Sequence, residues 1–382
     1  MSLGLADYAV TLSEWGGRIL WQSRVSTLSS VSWGREKNNV SKATVSTVMP
    51  PAIAQLLEPW IHLLTIERGD ELVWEGIVLR VEARRNLVTI EASDGALMFS
   101  RRRVPHGRVW RQHDATQVMR THVEDGLGYK DPTGLVESIV EHPSRLWVTA
   151  SYDAAECMVD DVVDDLVGQG LSWCVSAGRL LIGPVAAQYT TAQLSDAHLD
   201  ARMTIVKDGS EVVTDALVTG KGVWGQYLDR SSPLGLVQAI ESADGAVRSA
   251  ECFMQAKRLV DDAGATPRRL TIPSGSRLLP DAPVSLGELI PGVQVPVSSR
   301  QTGVLMSSLM QLTSLDVTAD SGGENIQVTL EETTVTGDVP ELPDPADLDW
   351  RSPYEREVAG QQGTNTGSAT QHSEDDVGIP PA

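Results

Sequence analysis

The stretch that most constrains the fold is Glu58 to Val81, which reads EPWIHLLTIERGDELVWEGIVLRV. A strand-like run ends in the turn signal Arg68-Gly69-Asp70, and a second run returns from Leu72 to Val81. A third run, Leu87 to Ala92, follows the polar turn Arg84-Arg85-Asn86. Short polar turns between β-prone runs are typical of an antiparallel meander. We therefore expect three consecutive antiparallel strands here.

Both alternating faces of this meander carry apolar residues. One set is Ile61, Leu63, Ile77 and Leu79, and the other is Leu64, Ile66, Leu72 and Val78. A strand that is apolar on both faces is covered on both faces. We expect one face to pack a barrel core, and the other to be covered by a helix, the next module or another subunit.

The residues before the meander also favour strands. Ser41 to Val48 alternates small or polar residues with apolar ones, and Asn38-Asn39 supplies a turn before it. Shorter runs are Val10 to Leu12, Arg18 to Trp21 and Val25 to Trp33, and Ala52 to Leu57 could form a helical turn. Residues 1–104 are therefore expected to form one all-β barrel or curled sheet.

The block 105–195 mixes helices with strands, so we expect an α+β module. Asp114 is a plausible N-cap for a helix that ends near Gly126. A second helix is expected from Ala154 to Gly168, because its apolar residues fall on one side and four aspartates on the other. A hairpin is expected from Leu171 to Ile182.

Residues 196–335 return to strand-like patterns. Strands are expected at Ala201–Val206, Glu211–Val213, Ala216–Thr219 and Arg268–Ile272, with a helix at Ser249–Ala263 inside an insertion near 240–285. The last pair, Met310–Val317 and Asn325–Leu330, forms a hairpin like the early meander. We therefore expect a second β domain that contains a helix-bearing insertion.

From 336 to 382 the chain is rich in Pro, Gly, Ser, Thr and acids, with ten acidic and two basic residues between Asp338 and Ala382. Such a segment cannot bury enough apolar surface to offset its ordering entropy, so a flexible tail is expected, or a segment that orders against a partner. The whole chain has a formal net charge of −20. That charge argues against a general nucleic-acid binder, but it suits a wall along which DNA slides.

No apolar run approaches the length of a membrane span, and the N-terminus does not have the pattern of a secretory signal. We therefore expect the protein to start in the cytoplasm of the cell that makes it.

Catalytic and metal-binding signatures are weak, and we predict no catalytic, cofactor or metal site. His198 with Asp196 and Asp200 lacks a second His-rich segment, and Asp160, Asp161, Asp164 and Asp165 fit the solvent face of a helix. Ser274-Gly275-Ser276 lacks the lysine of a phosphate cradle, and GxSxG, GxGxxG and P-loop motifs are absent. The three cysteines, Cys157, Cys174 and Cys252, are expected to be buried thiols.

An arginine-rich patch, Arg101 to Arg111, is the one basic feature of the sequence. It could contact nucleic acid, but the overall acidity favours pairing with an acidic surface of a neighbouring subunit or a solvated loop. Six tryptophans lie inside apolar runs and are expected in cores or interfaces, although sugar stacking is an alternative: Trp60, Trp74, Trp110, Trp147, Trp173 and Trp224.

A set of strand patterns over residues 1–335 resembles the minor tail proteins of long-tailed phages of actinobacteria, specifically those similar to the tail or baseplate hub. The patterns in the first domain are Val31-Ser32-Trp33-Gly34-Arg35, Asn38 to Ala43, Glu58-Pro59-Trp60, Glu71 to Gly76 and Val88 to Asp94. In the last domain, Leu289-Ile290-Pro291-Gly292 and the hairpin Leu312 to Leu330 carry the resemblance. The acidic tail lies outside it.

The resemblance implies two tail-tube-like β-barrel domains with smaller α+β modules, a fold similar to the hub of contractile tails and the N-terminal part of type VI secretion spikes. It implies a homotrimer whose six barrels form a pseudo-sixfold ring at the tail tip, closing the tail tube until DNA ejection. The implied partners are the distal tail protein, the tail tube, the tape-measure protein and other baseplate or receptor-binding proteins, with DNA only in transit. Neither hydrolase activity nor a fibre is expected.

Two alternatives remain at this stage. The first is a distal-tail or peripheral baseplate protein that binds host-surface carbohydrate through exposed tryptophans. The second is an enzyme, such as a wall hydrolase, that depends on His198 or Asp200.

Overall fold

The computed structural model describes residues 7–332, except for 24–26, 131–137, 185–192, 208, 211, 244–248, 264–267 and 302–303. The fold is mainly β, with 49% strand and 17% helix in several sheets. The acidic segment predicted from 336 to 382 lies outside the described residues. In the described part, no helix is long and apolar enough to cross a membrane.

The first block contains seven strands and one helical turn. They are β1 (Tyr8–Glu14), β2 (Ile19–Gln22), β3 (Leu28–Glu36), β4 (Lys42–Val48), α1 (Pro51–Ala54), β5 (His62–Arg68), β6 (Glu71–Arg84) and β7 (Leu87–Ser93). The predicted meander is confirmed, because β5 pairs with β6 and β6 pairs with β7, all antiparallel. Gly69, with a φ of 62°, supplies the left-handed conformation that the first turn requires.

The second block mixes helices and short strands. Its elements are a 3₁₀ helix (Gly95–Arg101), β8 (Arg108–Asp114), α2 (Ala115–Gly128), β9 (Ile139–Glu141), β10 (Trp147–Tyr152), α3 (Val159–Gly168), β11 (Trp173–Ser176) and β12 (Arg179–Ile182). The Asp114 carboxylate accepts from the Thr116 amide, which confirms the predicted N-cap. The second helix begins at Val159 and not at Ala154, because Asp161 accepts from the Met158 amide and caps the helix there.

The third block contains β13 (Leu194–Ser195), β14 (Thr204–Lys207), β15 (Asp215–Thr219), β16 (Trp224–Leu228), β17 (Gln238–Ser242), α4 (Ser249–Ala263), β18 (Arg268–Thr271), β19 (Ser276–Arg277), β20 (Gln294–Gln301), β21 (Val304–Asp320) and β22 (Gly323–Glu332). The predicted helix and last hairpin are confirmed. Val212 and Val213, predicted as strand, form no strand; Glu211 lies outside the described residues.

Twelve strands from the first and third blocks share one sheet, with the path β13-β20-β21-β3-β4-β7-β6-β5-β1-β2 and with β22 and β19 joined beside β21. The long strand β21 makes the connection. Its first part pairs with β20, and residues 314–319 pair with β3 on one side and with β22 on the other. The two blocks that were predicted as separate β domains are therefore hydrogen-bonded to each other.

No sheet of the described residues closes into a barrel, so the predicted barrels are not confirmed. The β3–β21 pairing provides a physical reason. Each predicted domain uses one of its strands to continue the sheet of the other, and that strand is not available to close its own sheet.

The first and third blocks each contain a three-stranded antiparallel meander with the same strand order. In the first, β6 pairs with β5 through its early residues and with β7 through its later residues. In the other, β21 pairs with β20 through residues 304–311 and with β22 through residues 310–320. The chain therefore presents two similar three-stranded units with a long central strand.

Two large cores lie on opposite faces of the first meander. Leu64, Ile66 and Val78 belong to the core of the long sheet. Ile77 belongs to the core of the α+β module, and Leu63 and Leu79 pack against that core. The apolar character of both faces is explained, because the next module covers the second face. Two residues of the predicted faces are instead exposed: Ile61 by 51% and Leu72 by 39%.

Candidate interaction surfaces

A buried polar cluster joins β1 and β5 to β22. The Arg68 guanidinium donates from Nε and Nη2 to the two Glu324 carboxylate oxygens, both at 2.7 Å. The Tyr8 hydroxyl donates to Glu324 Oε1 at 2.5 Å, and burial together with this carboxylate raises the pKa of Tyr8 well above its usual range. The Glu324 side chain is only 1% exposed, so its charge depends on these donors.

Arg35 forms a second buried connection. Its Nη1 donates to the carbonyl oxygens of Leu286 and Leu289 at 3.3 and 3.2 Å, and its Nη2 donates to the Val73 carbonyl at 3.2 Å. The guanidinium also lies 5.1 Å from the centre of the Trp33 ring. Burial lowers the pKa of Arg35 to about 10, because desolvation disfavours its charged form. Arg35 thereby fixes the 286–289 loop against β3 and β6.

A cavity of about 340 Å³ lies between this loop and β22. Its walls are mainly apolar side chains from Leu278 to Leu289, and Arg68 and Glu324 line its polar end. Because both Glu324 oxygens accept from Arg68, the polar end of the cavity is an ion pair whose hydrogen bonds are satisfied.

Asp94 connects the long sheet to the α+β module. Its Oδ2 accepts from the Ser41 amide and hydroxyl at 2.7 and 2.6 Å, and its Oδ1 accepts from the Ala96 amide at 3.0 Å. The residue is 1% exposed. Burial raises the pKa of Asp94 to about 6, and the donors offset only part of this effect. The 3₁₀ helix that follows carries Ala96, Met98 and Phe99 into the module core.

Asp94 should make stability fall as the pH rises from about 4 to about 6. The folded state holds this proton up to pH 6, whereas an unfolded aspartate releases it near pH 3.9, so the folded state binds more protons in this window. The difference in unfolding free energy between the native protein and Asp94→Asn should therefore shrink by about 2–3 kcal/mol over this range. Urea titrations at several pH values measure it. A difference that is constant from pH 4 to pH 7 would contradict the assigned pKa.

The aspartates of α3 have local roles. Asp161 caps the helix, and Asp165 accepts from the Tyr152 hydroxyl at 2.6 Å. His198 and its neighbours also stabilise a turn: His198 Nδ1 accepts from the Ser195 amide, and Asp196 accepts from the Ser299 hydroxyl and the Arg300 amide. Among the described residues, no group of three or more His, Cys, Asp or Glu side chains could hold a metal ion.

The arginine-rich patch is divided by the fold. Arg101 lies near the Trp60 ring, at 5.9 Å from its centre, and Arg108 forms an ion pair with Asp125 of α2 at 2.6 Å. Arg111 is exposed on β8. The structure therefore does not bring these arginines together as one phosphate-binding surface.

The six tryptophans separate into two groups. Trp74, Trp110 and Trp173 are buried, as predicted. In contrast, Trp60, Trp147 and Trp224 are 42%, 63% and 62% exposed. The exposed group was expected in cores or interfaces, and it is not in the core of this chain.

Trp224 lies on the face of a small sheet that is opposite α4. The small sheet has the order β16-β15-β17, and α4 packs on the face that carries Ala216 and Val218. A side chain at Gly225 would overlap the backbone of α4, which shows how closely the helix approaches. The opposite face carries Trp224, Leu228 and Ile240, with Ile240 74% exposed. Asp215 in its centre accepts from the side-chain amides of Gln226 and Gln238, both at 2.7 Å.

Trp147 lies on the ribbon formed by β8 and β10. The inner face of the ribbon carries buried Trp110 and Val148, and Trp110 Nε1 donates to His122 Nε2 of α2 at 3.0 Å. The outer face carries Val109, Arg111 and Trp147, with Val109 67% and Trp147 63% exposed. We call this outer face, together with exposed Arg145, the ribbon face. No strand of the described residues pairs with either outer edge of this ribbon.

No protein-family model matches the sequence, and no curated protein matches it. Solved structures do match the fold. The 43 kDa tail protein of prophage MuSo2 from Shewanella oneidensis has a TM-score of 0.54 at 12% identity, with 85% of this chain and 98% of that chain covered.

Two further tail proteins have similar scores. The tail protein from Neisseria meningitidis MC58 has a TM-score of 0.51 at 15% identity, covering 85% of this chain and 96% of that chain. Prophage tail protein gp18 from Listeria monocytogenes EGD-e has a TM-score of 0.50 at 10% identity, covering 85% and 95%. The chain therefore shares its fold with phage tail proteins over nearly their whole length.

Proposed function

We propose that this chain is a structural tail-hub protein of a phage virion, of the kind found in long-tailed actinobacterial phages. Three copies would form a pseudo-sixfold ring that adapts the distal end of the tail tube, closes it and takes part in DNA ejection. The proposed division of the chain is 1–104 and 196–335 for the two tube-like domains, 105–195 for the α+β module and 336–382 for the acidic tail.

The two similar meanders carry this proposal. The strands β5–β7 and β20–β22 repeat one design within a single chain, as described above. A chain with two similar units provides six such units in a trimer, which is what a sixfold tube requires of a threefold adaptor. The fold shared with three tail proteins supports the same conclusion.

The edges of the long sheet offer contacts for such a ring. Within the described residues, β2 pairs only with β1, β13 only with β20, and β19 only with β22. Unpaired strand edges are readily continued by a strand of a neighbouring subunit. The proposed partners are the other two copies, the distal tail protein, the tail tube, the tape-measure protein and other baseplate or receptor-binding proteins. The net charge of −20 would let DNA pass through the ring without adhering.

The location is tested on virions. Gold-labelled antibodies against this chain should decorate the tail tip of particles imaged by electron microscopy. Label on the capsid or along the whole tail would contradict the proposal, and an antibody against the major tube protein provides the control.

A second candidate function is recognition of host-surface carbohydrate, and the exposure of Trp147 and Trp224 favours it. A glycan array probed with the whole protein tests it. Binding that is lost in Trp147→Ala or Trp224→Ala, but not in a variant of a distant exposed residue such as Ile19→Ala, would support this candidate. An array without any bound glycan would oppose it.

A further inference from the structure

The ribbon face combines cations with exposed aromatic and aliphatic surface. Arg111 lies directly opposite Thr149 in the β8–β10 register, two residue pairs away from Trp147. Arg145, two residues before Trp147, is also exposed. Neither arginine forms an ion pair with any side chain of the described residues. An occupant that offers carboxylates and apolar groups would complement this surface.

The chain itself contains a segment with this chemistry. Residues 338–350 read DVPELPDPADLDW, with five carboxylates and no basic residue. Four of the carboxylates, Asp338, Glu341, Asp344 and Asp347, are spaced three residues apart. In a polyproline conformation three residues complete one turn of about 9 Å, so these carboxylates would form a row on one side. Leu342, Leu348 and Trp350 supply the apolar groups.

The position where the described chain ends is close to the α+β module. Glu331 pairs with Gln311 in the β21–β22 register, and Lys37 Nζ donates to Gln311 Oε1 at 2.6 Å. Lys37 in turn forms a β-bridge with Cys174 of β11. The described part of the chain therefore ends beside the module that carries the ribbon face.

The length of the segment allows it to reach this face. A fully extended chain covers about 20 Å from Glu332 to Asp338, and it covers about 55 Å from Glu332 to Asp349. A module of about 80 residues has a diameter of about 30 Å. Every point on its surface is therefore within reach of the acidic segment of the same chain.

We propose that residues 338–350 dock in an extended form on the ribbon face of their own chain. Their carboxylates pair with Arg111 and Arg145, and their apolar residues cover Val109 and Trp147. The contact goes beyond the proposed tail role and does not depend on it. A more acidic partner could displace the segment from this cationic and aromatic face.

Photo-crosslinking in the full chain tests this docking. With benzoylphenylalanine in place of Trp147, irradiation should crosslink position 147 to a peptide within 338–350 of the same chain, as identified by mass spectrometry. The double variant Arg111→Glu and Arg145→Glu should reduce the yield about fivefold, since two exposed ion pairs of about 0.5 kcal/mol each are lost. Lysine at 338, 341, 344 and 347 in that variant should restore the yield.

Matched controls separate this contact from general charge effects. Lysine at Glu374, Asp375 and Asp376 removes three carboxylates elsewhere in the tail and should leave the yield unchanged. Benzoylphenylalanine in place of Trp224 should give no crosslink to 338–350. The proposal is overturned by an absence of the 147 crosslink, by crosslinks that join two chains on a denaturing gel, or by a yield that does not respond to the arginine reversal.

Discussion

Replacing Arg68 with methionine should lower the free energy of unfolding by about 3–5 kcal/mol, because it leaves a buried carboxylate without its cation. The Glu324 side chain is 1% exposed, and Arg68 donates to both of its carboxylate oxygens. These residues connect β5 to β22, and Tyr8 connects β1 to the same carboxylate. The loss should therefore weaken the contact of β22 with β1 and β5. Urea denaturation followed by circular dichroism, at one fixed protein concentration, measures it.

Arg84→Met is the matched control, because Arg84 pairs with Glu82 on the surface, where its side chain is 81% exposed. Its removal should cost less than about 1 kcal/mol. The double variant Arg68→Met and Glu324→Met should recover much of the stability lost in Arg68→Met, since no buried charge then remains unpaired. If Arg68→Met were as stable as Arg84→Met, the buried ion pair would not stabilise the contact between β5 and β22.

Gly76→Ala should destabilise the protein by about 3 kcal/mol or more, at the upper end of overpacking effects. A Cβ atom at Gly76 would overlap the Ser93 carbonyl oxygen and the buried ring of Trp74. The Ser93 carbonyl oxygen belongs to the backbone of the neighbouring strand β7. The overlap can therefore be removed only if β6 and β7 move apart. The change therefore tests whether the meander is packed as tightly as the structure describes.

Gly16→Ala provides the comparison for the glycine change. A Cβ atom there would meet no atom within 4 Å, and Gly16 does not have a left-handed φ. Its replacement should leave the denaturation midpoint almost unchanged. Equal denaturation midpoints for the two alanine variants would contradict the close approach of Gly76 to the Ser93 carbonyl oxygen.

The features that the sequence predicted well are local ones. The turn at Arg68-Gly69-Asp70, the cap at Asp114 and the hairpin at Leu171–Ile182 depend on residues that are close in the chain. Turn and cap chemistry acts over a few residues, so it can be recognised in one sequence. The apolar character of both meander faces also correctly predicted a cover on each side.

The features that the sequence did not reveal are non-local. The pairing of β21 with β3 joins residues that are almost 290 positions apart, and nothing in either strand indicates its partner. The same holds for the contact between Tyr8, Arg68 and Glu324, since a tyrosine, an arginine and a glutamate at strand ends look like ordinary surface residues. The pairing of β3 with β21 explains why the structure has one continuous sheet where two barrels were predicted.

The exposed tryptophans show a related limit. Trp147 and Trp173 both lie in short strand-like runs, yet Trp173 is 6% exposed and Trp147 is 63% exposed. The face of a strand that turns inward depends on which element packs against it, here α2 on the inner side of the β8–β10 ribbon. In β8 the register shifts because Gln112 is an extra residue without a partner in β10, so alternation along β8 does not assign its faces.

The central claim is that three copies of this chain form the ring at the tail tip. A cryo-electron microscopy map of the tail tip at side-chain resolution tests it most directly. We expect three copies around the tail axis, with the β5–β7 and β20–β22 meanders alternating as six similar units. Six copies or a single copy at that level, or a tip in which the two meanders do not alternate, would contradict the proposal.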